Sequence, residues 1–434
     1  MIRKHLIAVV AVLLAALTVP FAHAGVKIEH WVAPSGARVY FVETHALPIL
    51  DVQVDFSAGS AFDPPGKAGV AGMTQGLLDA GAGDMDEEKI AGRLVDLGVR
   101  LACSADYDRA GMTLRSLSAP AERDAAVDLM RMLLTQPAFP DAPLAREKTR
   151  SIAAIQEADT RPDSIAAKRF AAAIYPGHPY GVTATAESVA RITRDDLVAF
   201  HRAYYSAQRA AVEIIGDVTR AEAEAIAQKL TAALPAGTAE TQLPAVASPA
   251  AATIKVAHPA TQSHIHVGLP AIKRGDPDFY ALQVGNYSLG GGGFVSRLMK
   301  EVREKRGYAY SVYSYFAPRR LEGPFEIGLQ TKREQADEAL KVARDVFTEF
   351  LAQGPTEQEL AAAKKNLVDG LALRIDSNAK LLGYLSAIGF YKLPLTYLDD
   401  FPAKIGAVTA KDVREAFKRH VKPEHLVTVI VGTD

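Results

Sequence analysis

Arg303 and Tyr310 are the residues of this 434-residue chain whose types and spacing best suit chemistry. They lie in Arg297-Leu298-Met299-Lys300-Glu301-Val302-Arg303-Glu304-Lys305-Arg306-Gly307-Tyr308-Ala309-Tyr310. Gly307 ends a helix, so the tyrosine falls on the next strand and turns back beside the arginine. A guanidinium and a phenol both donate hydrogen bonds, and one peptide carbonyl can accept both. Taken alone, an arginine in so charged a helix reads as solvated surface. Just upstream stand four glycines, Gly290, Gly291, Gly292 and Gly293, then Phe294. Phe294, Leu298 and Val302 recur every four residues, which predicts a helix from Phe294. Glycines before a helix allow close backbone approach and leave N–H groups exposed. The Lys-Ser/Thr of a phosphate loop is absent, which argues against a nucleotide. A plain turn and a peptide-contacting loop both remain open.

The histidines suit a metal less well. His264 and His266 share one face of a predicted strand without an obvious third ligand. His420, Glu424 and His425 are spaced one residue too widely for facing ligands on a helix, and Pro423 disfavours a helix there. His178, in Tyr-Pro-Gly-His-Pro-Tyr, reads as a structural turn. Cys103 is the only cysteine and lies in an alternating apolar stretch, so it reads as a buried, inert thiol. No metal is expected on this chain.

The elements that must carry these residues come in two sets. A basic start, an apolar run from Leu6 to Ala22 and Ala22-His23-Ala24 read as a signal peptide over residues 1–24, cleaved after Ala24. That implies an exported protein, most simply periplasmic, with no stable membrane anchor after cleavage. About 410 residues remain, enough for two domains. The chain holds 49 basic and 50 acidic residues; without Arg3 and Lys4 the balance is 47 against 50. No basic field exists to attract nucleic acid. Residues 52–64 align without gaps on 265–277, and 192–216 on 408–432, each a pair of matching strand and helix signals. Residues 236–253, rich in Ala, Pro, Thr and Ser, read as a linker between domains 25–235 and 254–434. Within the first, helices are expected over 67–79, 87–97, 120–134 and 144–174, and strands over 38–44, 49–59 and 100–118. The fold class is α+β: two duplicated domains, each a mostly antiparallel sheet with helices on one face.

The duplication resembles the pitrilysin/insulinase family of inverted zinc peptidases, including the processing-peptidase subunits. Gly69-Val70-Ala71, Tyr175-Pro176-Gly177-His178-Pro179-Tyr180-Gly181 and the 297–312 string carry the likeness. The resemblance implies H-x-x-E-H on the first long helix, two zinc-binding histidines around a water-activating glutamate. Here those positions hold Gly72, Gln75 and Gly76, and the third ligand position falls near Ala154. Glu157 is near it, but one carboxylate cannot hold a catalytic zinc. In active members an Arg and a Tyr at the spacing of Arg303 and Tyr310 help hold the scissile carbonyl. The resemblance therefore implies a non-catalytic subunit of a two-chain zinc peptidase. A homologous partner would carry H-x-x-E-H and the zinc. This chain would bring Arg303, Tyr310 and half of a peptide-enclosing chamber, and the substrate would be an unfolded peptide. A structural or assembly protein of the same fold and a stand-alone peptide binder are the rival readings.

Overall fold

The computed structural model describes residues 25–237 and 241–433; the expected signal segment, residues 1–24, lies outside the described residues. The first half contains β1 (Glu29–Val32), β2 (Arg38–Glu43), β3 (Ile49–Phe56), a small hairpin of β4 (Gly81–Ala82) and β5 (Met85–Asp86), β6 (Arg100–Ala105), β7 (Ala110–Leu117) and β8 (Ala210–Gly216). Its sheet runs β1-β2-β8-β3-β7-β6, antiparallel except for the pair β2–β8. The second half contains β9 (Ala252–Ala257), β10 (Gln262–Ile272), β11 (Ala309–Phe316), β12 (Gly323–Lys332) and β13 (Val427–Thr433). Its sheet runs β11-β12-β10-β13-β9, with the one parallel pair at β13–β9. Read from the parallel pair outwards, β2-β8-β3-β7-β6 matches β9-β13-β10-β12-β11 strand for strand. The two sequence alignments fall on β3 with β10 and on β8 with β13. Capping boxes at Thr193/Asp196 and Thr409/Asp412 open the matching helices Arg194–Tyr204 and Ala410–His420.

Several local expectations shift. Ala252 and Thr253, read as linker, are the first residues of β9. The helix expected over 67–79 is only Val70–Gly76. The Asp63 carboxylate accepts the N–H groups of Gly69 and Ala71, both at 2.7 Å, and so fixes the start of that helix. The run expected over 144–174 is two helices, Asp141–Ala158 and Pro162–Ile174. Pro162 has no N–H to continue the first helix and suits the opening turn of the second.

Each sheet packs one face on its own helices, and the other half covers part of the opposite face. Helix Pro162–Ile174 lays Ala166, Phe170 and Ile174 on Val427, Val429 and Val431 of the second sheet. Helix Asn378–Tyr391 returns the exchange, placing Leu382 and Leu385 on Tyr40, Val42 and Ile215 of the first. This second layer follows from strands such as β8, buried at every residue. The exchanged helices also carry polar ties. Asp55, fully buried, accepts from Ser386 at 2.6 Å and pairs with Arg109 at 3.1 Å. Arg38 donates to the Gly389 carbonyl at 3.0 Å.

Glu213 sits inside this interface, on β8 between Tyr40 and Gln53. Its carboxyl is buried without a hydrogen-bond partner, against Gly389, where an added Cβ would lie 2.6 Å from its oxygen. Burial first, and the Asp55 charge second, push its pKa well above the carboxylate range, opposed by Arg109 and Arg38. An acid raised in this way holds its proton in the fold at pH values where the unfolded chain has released it. The folded state then binds more protons, so stability falls as pH rises from the ordinary carboxylate range towards the raised value. Glu213→Gln removes that slope. In urea titrations the variant should gain on the parent as pH rises above the ordinary carboxylate range; a pH-independent difference contradicts this.

Candidate functional site

The structure brings Arg303 and Tyr310 together. Arg303 lies on Met299–Glu304, wound as a π-helix, a form that often marks functional positions. The chain reverses at Gly307, whose φ of +65° suits glycine, and enters β11 at Ala309. Ala309 pairs with Thr331 but Ser311 pairs with Gln330, so Tyr310 is the extra residue of a β-bulge. A bulge breaks the alternation of side chains and re-aims one of them. Tyr310 thereby stands outside the sheet, 84% exposed. The Arg303 guanidinium carbon lies 4.8 Å from the Tyr310 ring centre and 4.8 Å from that of Phe294. Neighbouring Glu301 is occupied by Lys305 and Arg306, and among the described residues Arg303 has no carboxylate partner. The result is a half-buried cation held against two aromatic rings, with its N–H donors and the phenol still available.

The spacing of Phe294 predicts a helical position. It instead lies in the 3-10 turn Gly293–Val295, 62% exposed, and the helix begins only after Ser296. Ser296, extended and bonded through its carbonyl to the Lys300 N–H, was the available start signal. The four glycines also divide. Gly290 and Gly291 close the π-helical turn Tyr287–Gly291, while Gly292 and Gly293 form the exit. Gly290, expected in a peptide-contact loop, is buried: a Cβ there would lie 2.5 Å from the Ser314 nitrogen of β11. Gly291 and Gly293 are exposed.

An open groove of about 550 Å³ runs over β10, β11 and β12, lined by Asp163, His264, His266, Tyr313, Gln330 and Ser311, the residue after Tyr310. Among the described residues neither of its histidines belongs to a trio of groups within reach of one ion. His266 bonds Glu326 at 2.7 Å and stacks on Phe170 with ring centres 5.5 Å apart. Burial lowers the pKa of His264. His420 Nδ1 faces the Ala271 carbonyl at 2.9 Å and Nε2 faces Asp278 at 3.0 Å, with Asp276 at 3.6 Å. Arg419 holds both oxygens of Asp278 at 2.7 Å, so a guanidinium already occupies the carboxylate that a cation would need. His425 bonds the Pro249 carbonyl. His178 is the expected turn residue, accepting from the Tyr180 N–H and bonding the Pro244 carbonyl, both at 3.0 Å.

The positions of the zinc motif do not fit a metal. Gly72 and Gly76 are exposed on helix Val70–Gly76, and a Cβ at either meets nothing within 4 Å. Gln75 turns inward, buried, with its amide 3.5 Å from the Gly111 carbonyl. It also touches Cys103, whose thiol is pushed up to about 12 by burial and then by the nearby Asp79, opposed by the Gln75 hydrogen bond. Such a thiol stays protonated and unreactive. Ala154 and Glu157 are exposed on helix Asp141–Ala158. Among the described residues the only His/Cys/Asp/Glu trio within reach of one ion is Asp276, Asp278 and His420.

Residues 38–186 match the model of the insulinase-type M16 peptidase, and residues 191–367 match that of the M16 peptidase inactive domain. A crystal structure of a peptidase M16 inactive domain from Pseudomonas fluorescens is 38% identical, with a TM-score of 0.90, covering 94% of this chain and 98% of that one. The non-peptidase homologue YmxG of Helicobacter pylori is 26% identical over 401 residues, 91% of each chain. The periplasmic protease PqqL of Escherichia coli, at 17% identity and a TM-score of 0.80, shares the fold over 94% of this chain and 46% of its own. The chain belongs to peptidase family M16, as a member that lacks the metal ligands of the family's catalytic motif.

Proposed function

We propose that this chain is the non-catalytic subunit of a heteromeric zinc metallopeptidase. The partner is a homologous chain bearing H-x-x-E-H, which holds the zinc and the water-activating glutamate. This chain supplies Arg303 and Tyr310 as donors to the scissile carbonyl, and half of the chamber around an unfolded peptide. The observation that carries the reading is Arg303: a cation held by two rings, without a counter-ion, beside an exposed phenol. Donors fixed before the reaction stabilise the developing oxyanion without reorganising. The ligand-free positions Gly72, Gln75, Gly76 and Ala154 support the same division of labour, because the metal must come from elsewhere. The groove over β10, β11 and β12 supports an extended substrate.

The compartment is part of the proposal: the pair works in the periplasm after cleavage behind Ala24. Terminal sequencing of the protein recovered from periplasmic extract should begin at Gly25. To test the partnership, an exported relative carrying H-x-x-E-H from the same genome is co-expressed and pulled down with this chain. A complex that cleaves peptides faster than either chain alone is the expected result. A chain that recruits no such relative and binds peptides by itself overturns the partnership in favour of the stand-alone binder.

A further inference from the structure

The four glycines and Phe294 have so far no role in the proposed site, and their geometry supplies one. Gly290 lets the turn press directly on the backbone of β11 at Ser314, where any side chain would collide. Asn286 secures the same contact, donating to the Ser314 carbonyl at 3.0 Å and accepting from its hydroxyl at 2.6 Å. Gly293 then takes a φ of +61°, a backbone conformation that side chains rarely adopt. The chain emerges with Phe294 lying against Arg303, its ring centre 4.8 Å from the guanidinium carbon, the same distance as that of Tyr310. A phenylalanine left 62% exposed is not serving a core. What it gains is the face of a guanidinium, a contact that holds a flexible side chain in one place.

We infer that Phe294, delivered by the glycine turn, is the positioning residue of Arg303, fixing the guanidinium by contact with a second ring so that its donors point at the substrate carbonyl. This inference rests on the composite-site reading and deepens it. It also gives the glycine turn a mechanical task in place of peptide contact. An arginine on a long stem loses rotamer freedom when it binds a carbonyl, and contact with two rings imposes that loss beforehand. The mainly entropic benefit should appear in turnover more than in substrate affinity.

Two readouts test this. In the isolated full chain, NMR follows the Arg303 side-chain Nε–H, which two stacked rings shift upfield. Phe294→Ala and Gly293→Ala should both move it towards the free-arginine position, while Phe294→Tyr should keep it. Thermal unfolding of the Phe294 variants should match the parent, since the side chain is exposed. In the complex with the zinc-bearing partner, Phe294→Ala should lower kcat about tenfold at unchanged KM, and Phe294→Tyr should restore it. An Arg303 signal unmoved by Phe294→Ala overturns the positioning role. So does a raised KM with kcat intact, which would make Phe294 a peptide contact. The parent reading fails separately, if Arg303→Ala itself leaves cleavage unchanged.

Discussion

Arg303→Ala should lower kcat of the reconstituted two-chain peptidase by about 10²–10³-fold, the usual cost of removing one oxyanion donor. KM should change little. In the proposed site the guanidinium would bind a charge that grows on the carbonyl oxygen only as the tetrahedral intermediate forms. Arg303→Lys should recover little. An ammonium cannot offer the planar fork, and a more strongly hydrated head sits less readily against the rings of Phe294 and Tyr310. Tyr310→Phe should cost less than Arg303→Ala, because it removes one neutral donor and keeps the ring that supports the arginine. Adding Tyr310→Phe to Arg303→Ala should cost less than the two effects multiplied, since both act on one oxygen. Steady-state kinetics with a quenched fluorescent peptide measure all of these. A variant series in which KM rises and kcat stays would place the pair in ordinary substrate binding instead.

Asp108→Ala should lower the free energy of the first unfolding transition by several kcal/mol, at about 1–3 kcal/mol for each donor that loses its buried acceptor. Asp108 is buried at the turn between β6 and β7 and ties the two halves together at several points. One oxygen accepts from the Tyr180 hydroxyl. The other accepts from the Tyr391 hydroxyl at 3.0 Å and from the Arg320 N–H at 2.8 Å. Tyr391 sits at the end of the exchanged helix Asn378–Tyr391, and Arg320 lies between β11 and β12, so one carboxylate collects donors from two segments of the second half. Its loss leaves buried hydroxyls and an amide without their acceptor, each costing about 1–3 kcal/mol. Asp108→Asn keeps acceptor lone pairs on one oxygen and should fall between parent and alanine variant. Urea titration followed by fluorescence reads the effect. An unchanged midpoint for Asp108→Ala would mean that the apolar layers alone hold the halves together.

The duplication was legible because each copy repeats local signals. Thr193 and Thr409 cap matching helices, and the runs that became β3 and β10 alternate alike. The exchange of helices Pro162–Ile174 and Asn378–Tyr391 was not legible, because a helix's pattern shows which of its faces is apolar but not which sheet receives it. Apolar residues on both faces of β8 fit a second covered face, but Glu213 in their midst argues the other way. In the candidate site, Arg303 and Tyr310 stood out through their motif, yet their meeting depends on a bulge that adds one residue to β11 without changing its composition. Phe294 was misplaced for a comparable reason. Its spacing from Leu298 and Val302 fits a helix, but Gly292 and Gly293 make a turn there cheaper than a helix start. Gln75 was recognised as an empty position; its inward orientation against Cys103 and Gly111 could come only from the packed structure.

The proposed division of one peptidase site between two chains is tested by zinc content and peptide cleavage for this chain alone, for the H-x-x-E-H-bearing partner alone, and for the pair with and without Arg303→Ala plus Tyr310→Phe. The account predicts substoichiometric zinc and no cleavage for this chain, one zinc per complex, and cleavage by the pair that the double variant abolishes while the complex stays assembled. Stoichiometric zinc on this chain alone, or full cleavage by the pair carrying the double variant, would contradict it.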